Sequence, residues 1–282
     1  MDSIDTLTRR TFLVSTAVLP VALAAPPGVN IPIGLELYSV RDELKKDLAG
    51  TVRAVAKMGY QVVEFYAPYM EWTADRTKEV RSILDDAGVR CNSTHNGLDS
   101  FSAAKIPHAI ELNRIIGSHY VVLAHPGKTS GLDDYKRVAE TLTKAMETLK
   151  TAGLSAGYHN HDAEWRPIEG RRPIEIIAAN TPQDLMLQLD VGTCLEAGSD
   201  SVAWIRANPG RIRSLHLKDW SPEAGRGYKV VFGEGSAPWP QILDAAESVG
   251  GVEYYLIEQE ESANPLETVR QCLVNYRKLR PA

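Results

Sequence analysis

The sequence predicts a single closed (β/α)8 barrel. Three observations predict it. Eight short apolar segments alternate with eight helical patterns, glycines recur where helices hand over to strands, and the alternation fills about 250 residues, the usual size of one such barrel. Strands are predicted at Ile31–Tyr38, Gln61–Tyr66, Val89–Thr94, Tyr120–Ala124, Ser155–His159, Leu185–Asp190, Ile212–Leu217 and Tyr254–Glu258. Each is short, apolar and bounded by turn-forming or polar residues. Helical patterns lie between them at Leu44–Met58, Asp75–Asp86, Ala103–Ile116, Asp133–Thr151, Pro173–Asn180, Ser201–Asn208, Pro238–Val249 and Pro265–Leu279. Gly59, Gly88, Gly117, Gly153 and Gly250 each follow a helix and precede a strand, the place of a C-cap glycine. Regular alternation implies parallel strands joined by crossover helices. The rival, an open doubly wound sheet, announces itself with a Gly-rich turn after its first strand, and Leu37-Tyr38-Ser39-Val40-Arg41 contains no glycine.

The barrel is expected over residues 29–282, with residues 1–25 set apart as an export signal. Thr8-Arg9-Arg10-Thr11-Phe12-Leu13 is a twin-arginine pattern, the apolar run Phe12–Ala25 follows, and Ala22-Leu23-Ala24 offers a small-x-small cleavage site. The run is too short to span a bilayer. Twin arginines point to the Tat route and to a periplasmic or otherwise exported location; the plainer reading is a Sec signal that contains Arg-Arg. The net charge is -5 and no basic stripe is visible, which argues against nucleic acid and anionic membranes as partners. Three scattered cysteines (Cys91, Cys194 and Cys272) make neither a disulfide framework nor a thiolate cluster.

In such barrels chemistry sits at the C-terminal ends of the strands, so the residue on which each strand ends is informative. In order these are Glu36 and Tyr38; Glu64; His95; His125; Tyr158-His159-Asn160-His161; Asp190; His216-Leu217-Lys218-Asp219; and Glu258-Gln259-Glu260. Five of the 7 histidines fall there: His95, His125, His159, His161 and His216. Imidazoles and carboxylates converging on one mouth suit Zn, Mn, Co or Fe rather than Ca. Residues two apart on a strand share a face, so His159 pairs with His161, and His216 with Lys218. Singly, each has a plain reading: a hydrogen-bonded loop histidine, an Asp190 that caps the next turn, a Lys218-Asp219 surface pair, a solvated Glu258. Four adjacent strands each ending in a metal-type residue make the joint coincidence hard to sustain.

These segments resemble the sugar phosphate isomerase/epimerase family of xylose isomerase-like barrels. The resemblance covers the whole mature chain. It is carried by Leu37–Asp42, Gly59-Tyr60 with Val63-Glu64-Phe65, Tyr158–Asp162 with Glu164, Leu189–Gly192, His216–Asp219, Gly233-Glu234-Gly235 and Ile257-Glu258-Gln259. It implies a divalent metal held by Asp190, His216 and Glu258 with a strand-five residue. That residue is Glu in the wider superfamily and here is His159, with His161 or Glu164 as alternatives. A histidine ligand makes the site less anionic and softer and favours Zn, Mn or Fe over Mg. Strand one carries Glu36 where the branch usually has Gln.

The resemblance further implies a sugar isomerase or epimerase working by proton abstraction beside a carbonyl, with catalytic residues among His161, Lys218 and Glu258. Glu36, Tyr38, Glu64, His95, His125 and Glu164 are expected to face the substrate. Export and the want of a strong phosphate cradle (Gly233-Glu234-Gly235 carries an acid) favour a non-phosphorylated sugar, keto-sugar or glycoside, with a small-molecule sugar or polyol as the expected partner. Elimination from a 3-keto-glycoside or inosose is the rival reaction. A non-catalytic exported sugar-binding barrel is the rival of another class. Phosphodiester cleavage is disfavoured for want of a basic groove, and the reading is compatible with a homo-oligomer.

Overall fold

A computed structural model describes residues 31–280; the export segment expected over residues 1–25 lies outside the described residues. The eight strands are β1 (Ile33–Glu36), β2 (Val62–Phe65), β3 (Arg90–Gly97), β4 (Tyr120–His125), β5 (Ser155–His159), β6 (Met186–Asp190), β7 (Ser214–Leu217) and β8 (Tyr254–Ile257). Each pairs in parallel with the next, and β8 returns to β1, so the sheet closes in sequence order as expected. The helices are α1 (Arg41–Lys46), α2 (Leu48–Met58), α3 (Ala74–Ala87), α4 (Ile106–Ile116), α5 (Leu132–Thr151), α6 (Pro173–Ala179), α7 (Val191–Glu196), α8 (Ser201–Ala207), α9 (Trp239–Ala245) and α10 (Pro265–Leu279).

The longer helices form where apolar residues repeat at helical spacing, and α2, α3 and α4 end on a left-handed glycine. In α5 the buried face is Tyr135, Val138, Ala139, Leu142, Ala145 and Leu149, a stripe at spacings of three and four. Gly59 closes α2 with φ 102, a left-handed conformation that strains other residues. Inside the barrel, Val62, Tyr120, Val122, Met186, Tyr254 and Leu256 form a separate apolar plug. Glu64 and Gln188 lie two residues beyond a plug residue on their strands, and Glu258, just past the end of β8, lies two beyond Leu256, so each faces the same interior one layer higher.

The structure corrects several boundaries. The first helix is broken at Asp47, whose extended backbone ends α1 and whose Oδ1 accepts from Gly50 N–H at 2.9 Å to cap α2. β1 stops at Glu36, and Tyr38 lies in a 3-10 turn (Leu37–Val40) rather than in the strand. β3 runs on through His95 to Gly97. Asn96 is held there by buried partners, its Nδ2 donating to Thr94 O at 2.8 Å and its Oδ1 accepting from Tyr69 Oη at 2.7 Å. The loop after β6 contains α7, capped by Asp190 itself. α9 runs into a π turn that takes up Gly250, and the left-handed cap is Gly251, φ 81. The three cysteines are free and buried, and no helix of the described residues is long and apolar enough to cross a membrane.

β1 and β2 approach closely at Gly34. A Cβ on Gly34 would lie 2.4 Å from Val62 Cγ2 and 2.7 Å from Val62 O. Gly34→Ala is expected to destabilise the protein by roughly 1–3 kcal/mol, the usual cost of overpacking. Urea unfolding checks this, and an unchanged midpoint contradicts it.

Candidate metal centre and active site

Four buried side chains from consecutive strands converge above the apolar plug. His159 from β5, Asp190 from β6, His216 from β7 and Glu258 just beyond β8 each offer an atom within 4.8 Å of the others. His159 Nε2 lies 3.9 Å from Asp190 Oδ2 and His216 Nδ1 2.5 Å from Glu258 Oε2. Asp190 Oδ1 accepts from Thr193 N–H at 2.9 Å, the α7 cap, while Oδ2 is buried with no hydrogen-bond partner. An orphaned carboxylate oxygen inside a two-imidazole, two-carboxylate quartet is what a divalent cation would satisfy. The donor set therefore fits Zn, Mn, Co or Fe.

Neighbouring side chains fix the ligands. Gln188 Nε2 donates to Glu64 Oε2 at 2.9 Å, which orients the amide and leaves Oε1 as the acceptor. That oxygen lies 3.0 Å from His159 Nδ1 and 2.8 Å from His95 Nε2. His159 thus carries its proton on Nδ1 and presents the Nε2 lone pair to the quartet, an outer-shell arrangement usual for ligating histidines. Asn160 braces Asp190 on both sides of its peptide: Oδ1 accepts from Asp190 N–H at 3.1 Å and Nδ2 donates to Asp190 O at 3.3 Å.

The electrostatics divide the groups by charge. Burial opposes a charged His216, but hydrogen bonds to Glu258 and Glu64 outweigh it and raise its pKa to about 10. Burial likewise pushes Glu64 and Glu258 upward, and the surrounding cations hold both well below the carboxylate range. Lys218 sits 3.4 Å from Glu258 and 3.7 Å from Asp190 and also pairs with Glu260; these carboxylates override burial and hold it as an ammonium. Burial lowers His161 to about 4, so it is neutral at pH 7. Burial, then the charge of Glu258, raises Glu260 to about 7.

The other expected residues separate. His125 stacks on His161 with ring centroids 5.6 Å apart, and Tyr38, 37% exposed, packs edge-on against Tyr66 at the mouth. His95 stacks 5.1 Å from His216. Glu36 and Glu64, expected to face the substrate, are shut in at 1% and 0% exposure: Glu36 turns back to cap the 3-10 turn after β1, and Glu64 lies deeper among Gln188, His95 and His216. Glu164 accepts from Tyr158 Oη and His161 N–H and braces the turn after β5. Sequence reasoning passed over Gln188, and it named Asn160 and Glu260 at strand ends without giving either a role. It placed Asp219 in the His216–Asp219 run, with a surface pair as the plain reading, and gave it no role, whereas Asp219 is buried and accepts from the amides of Trp220, Gly233, Gly235 and Ala237 and from Trp239 Nε1. The spacing of Gly233 and Gly235 was its one visible signal.

With fold and site in place, kinship is plain: residues 52–276 match the xylose isomerase-like TIM barrel family, and the chain belongs to it. Two inosose dehydratases from Clostridium perfringens strains are 25% and 24% identical over 154 residues, covering 48% of this chain and 51% of each relative. The chain therefore spans about half the length of these curated relatives. A sugar phosphate isomerase/epimerase of Parabacteroides distasonis superposes with TM-score 0.74 at 25% identity, covering 91% of this chain and 96% of that one. A D-psicose 3-epimerase superposes with TM-score 0.66 at 14% identity over 89% of this chain and 100% of that one, a likeness of fold alone.

Two outcomes are expected. A cation taking His216 Nδ1 must displace a proton that the ring holds up to about pH 10. Calorimetry in buffers of differing ionisation enthalpy should then show at least one proton released per cation, with affinity rising as pH rises. Binding without proton release contradicts this. Asp219→Ala strands five N–H donors, so a stability loss above about 3 kcal/mol is expected in chemical denaturation.

Proposed function

We propose that the protein is a metal-dependent sugar isomerase or epimerase that removes a proton next to a carbonyl of a non-phosphorylated sugar or keto-sugar. The observation that carries this reading is the quartet with its orphaned Asp190 oxygen, set between an ionised Glu258 and an ammonium Lys218. A divalent cation held by His159, Asp190, His216 and Glu258 supplies Lewis-acid polarisation of a carbonyl and its neighbouring hydroxyl.

The chain's own residues supply the proton chemistry. Ionised Glu258 and neutral His161 can each accept a proton, whereas Lys218, held as an ammonium, can only donate one or stabilise a developing oxyanion. Three residues that the sequence left equivalent thus divide into two acceptors and one donor. Gly233 and Gly235 turn their N–H groups onto Asp219, and Arg226 pairs with Glu223. The amides of this loop are already engaged, which supports a substrate without phosphate. The Thr8–Leu13 twin-arginine pattern supports the same choice through export, where sugar phosphates are scarce.

The inosose dehydratase matches favour a second reading, elimination of a β-hydroxyl or glycosidic group, with Lys218 protonating the leaving oxygen. Proton NMR of keto-sugars and inososes in deuterated water, with Mn, Zn or Co supplied, distinguishes the two. Deuterium in a rearranged sugar supports isomerisation or epimerisation; an enone or a released aglycone supports elimination. Asp190→Asn should lower either rate by at least about 100-fold, on the scale of losing a main electrostatic contributor. No exchange with any sugar, together with unchanged sugar binding by Asp190→Asn, would establish a non-catalytic binding barrel.

A further inference from the structure

Lys218 has a third carboxylate partner outside the quartet. Its Nζ lies 3.4 Å from Glu258 Oε1 and 3.7 Å from Asp190 Oδ2, and it makes its shortest contact with Glu260 Oε1. Glu258 and Asp190 also belong to the four side chains close enough to hold one ion. Glu260 belongs to no such group among the described residues. The Lys218 side chain is 6% exposed and that of Glu260 32%, so the ammonium lies inside and the Glu260 carboxylate on its solvent side.

Three strand ends hold this pair in place. Gln259 N–H donates to Ser39 Oγ at 3.0 Å and Arg41 Nη2 donates to Glu260 O at 3.3 Å, which ties the segment after β8 to the turn after β1. Gln259 Nε2 donates to Tyr228 O at 2.8 Å, and the Tyr228 ring covers Nζ with its centroid 4.8 Å away. Tyr228 Oη is fixed in turn by donating to Glu196 Oε2 at 2.6 Å.

Charge decides which partner persists. A divalent cation in the quartet offsets the charge of Asp190 and Glu258 and repels a neighbouring ammonium. Asp190 Oδ2, the oxygen without a hydrogen bond, is also the one that faces Lys218, so cation and ammonium compete for it. A buried ammonium without a counter-charge gives up its proton or swings away. Glu260 supplies the counter-charge that a cation does not claim.

We propose that Glu260 is a positioning residue for Lys218: its carboxylate fixes the ammonium beside the quartet when a cation engages Asp190 and Glu258. Glu260 acts through Lys218 and leaves the reacting atoms to it. This role presupposes the cation and the Lys218 proton donor proposed above. The competing account is that Asp190 and Glu258 hold Lys218 unaided, which leaves Glu260 a rim carboxylate.

Nuclear magnetic resonance of the nitrogen-15-labelled full chain tests this through the Lys218 Nζ–H signal, identified by its absence from Lys218→Arg. The signal is followed in metal-free and in Zn-saturated protein, with Zn content checked by elemental analysis. A locked ammonium exchanges slowly with water and gives a sharp signal, which Zn-saturated wild type should keep. Glu260→Gln should keep it when metal-free, where Asp190 and Glu258 remain available, and lose it on Zn saturation. Loss in both forms also establishes Glu260 as the anchor. Glu260→Asp, which retains the charge, should retain part of the signal. In turnover of a responsive keto-sugar or inosose, Glu260→Gln should lower kcat roughly 10-fold or more with KM changed less than about twofold, a share of the roughly 100- to 10,000-fold that a positioned proton-transfer group supplies. Bound Zn with the signal intact in Glu260→Gln overturns the role of Glu260 and leaves the metal reading standing, as does an unchanged kcat. No Zn bound by wild type overturns both.

Discussion

His216 is gripped from both sides: Glu258 Oε2 lies 2.5 Å from Nδ1 and Glu64 Oε1 2.8 Å from Nε2. This imidazole crosses the barrel interior between β8 and β2, two strands that do not follow one another in the chain. With both nitrogens engaged it is fixed in position and plane, and His95 and His159 pack against it at centroid distances of 5.1 and 4.4 Å. The rest of the interior is arranged around that ring. Gln188 bridges Glu64, His95 and His159, so the amide transmits the orientation set by the carboxylate to two further histidines.

The loops beyond the strands extend the same logic outward. Asp190 caps α7 with one oxygen and leaves the other without a hydrogen-bond partner, so one residue both starts a helix and offers a free carboxylate oxygen to the quartet. Gly192, two residues on, has no room for a side chain; a Cβ there would lie 2.9 Å from Lys218 O and 3.1 Å from Lys218 Cγ. Lys218 is confined in turn by Tyr228, whose ring centroid lies 4.8 Å from its Nζ. Asp219 gathers five N–H groups and ties the segment from Trp220 to Trp239 onto the end of β7. The Lys218 ammonium is thereby anchored at a strand end rather than on a free loop.

Legibility in the sequence followed periodicity. The eight strands and their parallel closure were readable because each apolar run is short and each helix carries a stripe of spacing three and four. The strand-end rule likewise picked out His159, Asp190, His216 and Glu258, which the fold brings into one cluster. Height was not readable. A strand pattern tells which face a residue takes, whereas barrel stagger and the register shift between Val63 and Glu64 set how deep it sits. Glu64 was therefore expected at the mouth and lies inside. Gln188 was overlooked because a polar residue between leucines reads as outward-facing, and Asp219 because its five donors are backbone and ring N–H groups that no residue pattern reveals.

The polar upper layer is not there to hold the barrel together. Replacing buried ion pairs with well-packed apolar residues is commonly neutral or stabilising, by about 1–4 kcal/mol, because desolvation offsets their attraction. This chain demonstrates the apolar solution one layer lower, where Val62, Tyr120, Val122, Met186, Tyr254 and Leu256 fill the same interior without a charge. On β2, β6 and β8 the switch from apolar to ionisable or amide side chains takes a single two-residue step: Val62 to Glu64, Met186 to Gln188, Leu256 to Glu258. Identical strands thus carry packing below and charge above. Four carboxylates, three imidazoles and an ammonium are buried together at the end of the barrel where ligands enter, and two of those carboxylates keep an oxygen without a partner. Such a layer adds little net stability of its own, and ligand binding is the role proposed for it.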